Sequence, residues 1–171
     1  MRITEQGFSL IELIVVVSLI SILMAIGLPG FLDWRSRVVY KDNAETVAAA
    51  LREARMLSHS HNLQHRVEFD LAGQRYRVTR GNRAQNSSDF STVFKDWAAM
   101  NPILLLKRDA DCAATANFSL GFNANGTAAA GYLDGAQSSD YLCILDATTM
   151  TGYRVGVSSA TTGRTVVDRH P

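Results

Sequence analysis

Hydrophobic residues follow three successive rhythms along this chain. From Phe8 to Leu28 they form a run, FSLIELIVVVSLISILMAIGL, that carries one charge, Glu12. From Phe31 onward, Trp34, Val38, Val47, Leu51 and Ala54 recur at intervals of three, four or small multiples of them. Charged residues such as Asp33, Arg35, Lys41, Glu45 and Arg52 take the other positions, a helical pattern. One helix over residues 8–60 accounts for both stretches, with Pro29 expected to kink or loosen it. Past residue 61 the period drops to two. Arg66-Val67-Glu68-Phe69 and Arg75-Tyr76-Arg77-Val78 alternate around Ala72-Gly73, a hairpin signature. Pro102–Leu106, Phe118–Phe122, Tyr141–Leu145 and Tyr153–Val157 read as further short strands, and Thr165-Val166-Val167 closes the last pair. Turns at Asn123–Gly126, Asp134-Gly135 and Thr162-Gly163 separate them, and the polar stretch Gly81–Asp96 reads as a loop. One long helix followed by many short strands predicts an α+β protein with one or two antiparallel sheets.

Length decides what the apolar run is for. A helix rises 1.5 Å per residue, so residues 8–28 span about 31 Å, the thickness of a bilayer core. A secretory signal peptide has a shorter apolar stretch ending at a small-residue cleavage site, whereas this run ends in Gly27-Leu28-Pro29-Gly30. A buried core helix is rarely so continuously apolar. Residues 8–28 are therefore expected to cross a membrane, with residues 29–60 as an amphipathic continuation and residues 61–171 as a β-rich head. Arg2 and the terminal amine, opposed by Glu5, favour a cytoplasmic N-terminus. The seven residues before the run are too few to fold, so the head is expected outside the cytoplasm.

Composition alone hides this organisation, because 47% hydrophobic residues is an ordinary globular value. Without Arg2, Glu5 and Glu12 the chain keeps 16 basic and 14 acidic residues, so no global field marks nucleic acid or an acidic substrate as partner. Cys112 and Cys143 show no zinc-ligand spacing, and in an exported head they are expected to form one disulfide.

Glu12 is the anomaly. A carboxylate in an apolar span costs about 2.5–3.5 kcal/mol at the centre and less toward the edge, so such residues usually have a partner and a function. Its surroundings, Gly7-Phe8-Ser9-Leu10-Ile11-Glu12-Leu13, resemble the prepilin cleavage and methylation motif (G-F-[ST]-L-[IL]-E) of type IV pilins and type II secretion pseudopilins. The resemblance implies a leader, residues 1–7, removed by a prepilin peptidase that cuts between Gly7 and Phe8 and methylates the new N-terminus at Phe8. It places the span in a bacterial inner membrane, the head in the periplasm, and the processed chain in a pilus or pseudopilus raised by an inner-membrane assembly platform. Glu12 would then neutralise the new ammonium of a neighbouring subunit, two buried charges being tolerable as a pair.

The head is similar to the GspH/FimT family of minor pseudopilins and minor pilins. Local patterns carry that likeness: Leu51-Arg52-Glu53-Ala54-Arg55 near the helix end, Phe122…Gly126 mid-chain, then Tyr153–Val157 and Gly163-Arg164. The resemblance implies a pilin-like head and a low-copy subunit at or near the filament tip.

Other chemistry is weakly supported. His59, His61 and His65 lie where residues two apart point to different faces, with no acid or cysteine to complete a metal set, and read as solvated surface residues. Asp109 and Asp111 lack a calcium-loop pattern. No P-loop, dinucleotide fingerprint or nucleophile elbow is present, so neither an enzyme nor a cofactor is expected. The competing reading is a DNA-binding minor pilin for DNA uptake. Arg66, Arg75, Arg77, Arg80 and Arg83 crowd one stretch, with Arg75 and Arg77 on one strand face. Some FimT-type pilins bind DNA through a C-terminal Gly-Arg-x-Arg motif, but here Gly163-Arg164-Thr165-Val166 lacks the second arginine. Arg75, Arg77 and Arg164 are the candidate contacts.

Overall fold

A computed structural model describes residues 9–101, 104–109, 111–129, 141–159 and 161–171 of the protein. Gly7, Phe8, the Pro102-Ile103 pair and the Asp134-Gly135 turn lie outside the described residues. A single helix, α1 (Leu10–His61), leads the chain. By internal contacts the protein divides into two units, the first ending at Val38 and the second beginning at Val39.

In the first unit, Leu10–Leu28 has a mean hydropathy of 2.7 and none of its residues is buried. Its length and composition suffice to cross a membrane. The two serines in this stretch hide their polarity locally. Ser18 Oγ donates to Ile14 O at 2.7 Å and Ser21 Oγ to Val17 O at 2.8 Å, so neither hydroxyl needs water.

The second unit is built on the remainder of α1. Tyr40, Ala44, Val47, Ala48, Leu51 and Ala54 recur at three- and four-residue spacing and are all buried, forming one apolar stripe. Two antiparallel four-stranded sheets share the core with this stripe. The first has the order β3-β2-β1-β5, from β1 (His65–Asp70), β2 (Arg75–Arg80), β3 (Thr92–Ala99) and β5 (Phe118–Phe122). The second has the order β4-β6-β7-β8, from β4 (Leu105–Arg108), β6 (Tyr141–Leu145), β7 (Gly152–Val157) and β8 (Thr165–His170). Val67, Phe69, Val78, Leu120 and Phe122 of the first sheet join Leu142, Ile144, Val155 and Val157 of the second in the same cluster as the helix stripe.

Strand β6 is buried on both faces. Leu142 and Ile144 face the main core, while Cys143 and Leu145 form a second cluster with Cys112, flanked by Leu105 and Tyr141. This is why its sequence, YLCIL, shows no polar alternation.

The α+β architecture matches the expectation, and three elements depart from it. The stretch Gly81–Asp96, read as a loop, contains the start of β3, which pairs with β2 along an outer edge of its sheet. Most of β3 is exposed on both faces and its register with β2 shifts twice, so the alternation that marks a half-buried strand is missing. Strand β4 continues to Arg108, whose guanidinium lies over the Phe118 ring at 5.0 Å. Strand β8 continues past Val167 to His170, paired with β7 throughout.

Candidate functional site

The first turn of α1 has amides with no partner inside the helix. Ser9 and Glu12 satisfy two of them reciprocally. The Glu12 amide donates to Ser9 Oγ at 3.3 Å, and the Ser9 amide donates to Glu12 Oε2 at 3.0 Å. This capping box also sets the carboxylate at the positive end of the helix dipole. Within one chain Glu12 therefore has a hydrogen-bonding partner.

In the head, Cys112 and Cys143 are joined in a disulfide. It ties the loop after β4 to β6 on the side of the second sheet that carries the smaller cluster. Asp109 and Asp111 flank this loop. Among the described residues no three histidine, cysteine or acidic side chains gather as a metal site.

The reading of three solvated histidines fails at His65, which is fully buried. Its ring lies 3.4 Å from His61 and edge-on to Phe94. Burial pushes its pKa below the ordinary histidine value. His65 occupies the inward face of β1 with Val67 and Phe69, so the period of two that revealed the strand also marked this residue.

Arg75 and Arg77 do share a face of β2, and each sits opposite a carboxylate of β1. Arg75 Nε pairs with Asp70 at 2.8 Å and Arg77 Nε with Glu68 at 2.6 Å. Arg66 also pairs with Glu68. Burial pushes the Glu68 carboxyl up, but Arg77 and Arg66 more than offset this and hold it below its ordinary value. The Gly73 amide and Arg75 hold Asp70 down as well. Both Arg75 and Arg77 lie over the ring of Trp97, at 4.5 and 4.6 Å. In this cluster two cross-strand ion pairs and one pair within β1 tie three arginines to two carboxylates, so Arg75 and Arg77 are engaged within the sheet.

Arg164 has different surroundings. The patterns around Arg55, Gly126 and Gly163, scattered through the sequence, meet at one point. Arg55 Nε donates to Gly126 O at 2.9 Å. Gly126 and Gly163 both have positive φ, +79° and +58°, a region open to glycine. A Cβ on Gly163 would lie 2.1 Å from Gly126 O, so the β7–β8 turn reaches the mid-chain turn only because Gly163 has no side chain. Beside this junction lies an open groove of about 760 Å³, lined by Arg52, Arg55, Met56 and His59 of α1 and by Arg164. The sequence singles out Arg164 as a contact and Arg52 and Arg55 as part of a family pattern but does not join them, although 52, 55, 56 and 59 have the spacing of one helix face.

Comparison with known proteins adds a motif and a fold. Residues 2–28 match the prokaryotic N-terminal methylation motif family. Among solved structures the chain is similar to the type IV minor pilin FimU of Pseudomonas aeruginosa, at 19% identity and a TM-score of 0.52, over 81% of this chain and 92% of that one. It is also similar to the minor pseudopilin EpsH from the type 2 secretion system of Vibrio cholerae, at 11% identity and a TM-score of 0.50, over 76% of this chain and 94% of that one. At these identities the likeness is one of fold. No curated protein matches the chain at a significant level.

Proposed function

We propose that this chain, which joins an N-terminal methylation motif to the fold of the minor pilins, is a minor pilin or minor pseudopilin that works by assembling into a filament. The observation that carries this reading is the motif at residues 2–28, which takes in an apolar helix segment of membrane-spanning length. Prepilin peptidase removes residues 1–7, cutting between Gly7 and Phe8 and methylating Phe8. The span holds the chain in the inner membrane with the head in the periplasm. The assembly platform then moves it into the filament beside other pilins, at or near the tip, a low-copy place that the likeness to two minor subunits supports.

Glu12 serves this step by exchanging partners. In the single chain its carboxylate is held by the Ser9 amide. In the filament it takes up the ammonium that cleavage creates on a neighbouring subunit, which lowers the cost of placing both charges in an apolar core. The head performs no catalysis in this reading.

Intact-mass measurement of protein purified from membranes of a host with active prepilin peptidase tests the proposal. A mature chain beginning at methylated Phe8 supports it, and one still beginning at Met1 overturns it. The DNA-uptake reading needs arginines that face phosphate, and the pairing of Arg75 and Arg77 with Asp70 and Glu68 argues against it on β2.

A further inference from the structure

We infer that the groove beside the Arg55–Gly126 junction is a docking site for a carboxylate-bearing, partly apolar segment of a neighbouring filament subunit. The inference rests on the filament reading above and adds a partner chemistry and a place on the head.

Charge is the first argument. Arg52, Arg55 and Arg164 line the groove and no acidic residue does. None of the three is paired with a carboxylate among the described residues. The head is otherwise close to neutral, and in its other arginine cluster Arg66, Arg75 and Arg77 are held by Glu68 and Asp70. The groove thus gathers three guanidiniums without an acidic partner at one concave place, where low-dielectric walls strengthen their field. Arg55 is fixed by its Nε bond to Gly126 O, which leaves its two terminal nitrogens for a ligand. Guanidinium groups bind carboxylates through paired, charge-assisted hydrogen bonds.

The apolar component decides between a protein segment and a nucleic acid. Met56 lies on the same helix face as Arg52 and His59, lines the groove, and is 67% exposed. A phosphate backbone offers this side chain nothing, whereas a peptide that alternates acidic and apolar residues covers it. Three guanidiniums also neutralise few phosphates, and DNA binding at physiological salt draws on many such contacts. The groove volume of about 760 Å³ falls within the range of sites that enclose small ligands and suits a short segment.

The test uses the full processed chain in nanodiscs of zwitterionic lipid. Fluorescence anisotropy follows binding of a labelled hexapeptide alternating glutamate and leucine, with a lysine–leucine hexapeptide and a short DNA duplex as controls. The acidic peptide should bind saturably and the basic one should not. Arg52→Ala and Arg164→Ala should each weaken the acidic peptide by about tenfold, the loss of one charge-assisted contact. Met56→Ser should weaken the acidic peptide several-fold and leave the duplex unaffected. All three positions are exposed, so circular dichroism and thermal melting should remain as in the parent protein. Acidic-peptide binding unchanged in the Arg52→Ala, Arg164→Ala double variant overturns the inference. So does a duplex that binds more tightly than the peptide and is released by Arg164→Ala. In cells, the Arg52→Glu, Arg164→Glu double variant should lose its leader normally yet cross-link to neighbouring pilins at least about tenfold less. Normal cross-linking of that variant overturns the assignment to a filament partner. A retained leader in the parent protein instead overturns the filament reading, and the peptide titration is independent of that result.

Discussion

Ser9 Oγ accepts the Glu12 amide while the Glu12 carboxylate accepts the Ser9 amide, at 3.3 and 3.0 Å, so the two residues close the first turn of α1 by themselves. Removing the carboxylate should therefore have two separable effects. Glu12→Ala loses both the cap and the carboxylate, whereas Ser9→Ala loses the cap alone, at a cost of about 1 kcal/mol. We expect Glu12→Ala to be inserted and cleaved but assembled poorly, and Ser9→Ala to assemble nearly as well as the parent. Disulfide cross-linking between adjacent subunits in membranes checks both, and equal assembly of Glu12→Ala and parent would show that no intersubunit charge pair forms.

Processing should depend on the size of residue 7. Replacing Gly7 with a bulky residue such as leucine should leave the precursor intact in the inner membrane. Immunoblotting and intact mass of the membrane fraction provide the measurement. Normal removal of the leader from that variant would place the cut elsewhere.

Cys112 and Cys143 close a loop across a sequence separation of 31 residues. On the chain-entropy account this cross-link contributes about 3–4 kcal/mol. Both cysteines are buried, against Leu145, so the Cys112→Ser, Cys143→Ser double variant should unfold at clearly lower denaturant. A midpoint within error of the parent protein would mean that the loop after β4 is held by packing alone.

Gly163→Ala should destabilise the head more than a typical surface change. Its Cβ would meet Gly126 O at 2.1 Å, on a backbone with φ of +58°. The expected cost is about 2–3 kcal/mol. Thermal unfolding of this variant beside Gly27→Ala, where a Cβ meets nothing within 4 Å, separates the close approach from the general effect of losing a glycine.

Tyr40 couples α1 to the β6–β7 turn through Asp146, with its hydroxyl donating to Oδ2 at 2.6 Å. Burial, then this bond, pushes the Tyr40 pKa up to about 12. The same bond and the amides of Thr149 and Thr148 bring Asp146 down to about 2. The raised tyrosine contributes stability that is full below pH 10 and fades as pH rises toward 12. The lowered aspartate contributes stability present above about pH 4 and lost as pH falls toward 2. Tyr40→Phe should cost about 1 kcal/mol near neutrality and should flatten the alkaline limb of a stability–pH curve measured by urea titration. An unchanged alkaline limb would show that the coupling is absent.

Much of this architecture was legible because burial writes a period into sequence. Val67 and Phe69, then Tyr76 and Val78, alternate with charged residues that prove to be cross-strand partners, and Val47, Leu51 and Ala54 mark the helix stripe. Strand β3 escaped because both of its faces are largely exposed, so no burial pattern constrained it. The groove was legible only in fragments. Arg55, Gly126 and Gly163 are far apart in the chain, and the contacts that join them arise from the meeting of two turns with a helix end. Pairing of Arg75 with Asp70 and of Arg77 with Glu68 likewise needed the register of β1 on β2, which no single strand records.

The buried stripe of α1 has a mechanical consequence. From Tyr40 to Ala54 the helix contributes side chains to a core shared with both sheets. Tension applied along this part of the helix would load those contacts side by side. Sliding the helix would have to shear Val47, Leu51 and Ala54 from their neighbours together, whereas peeling would break them one turn at a time. The geometry therefore gives the head its greatest resistance along the axis of its own helix and less against a sideways pull.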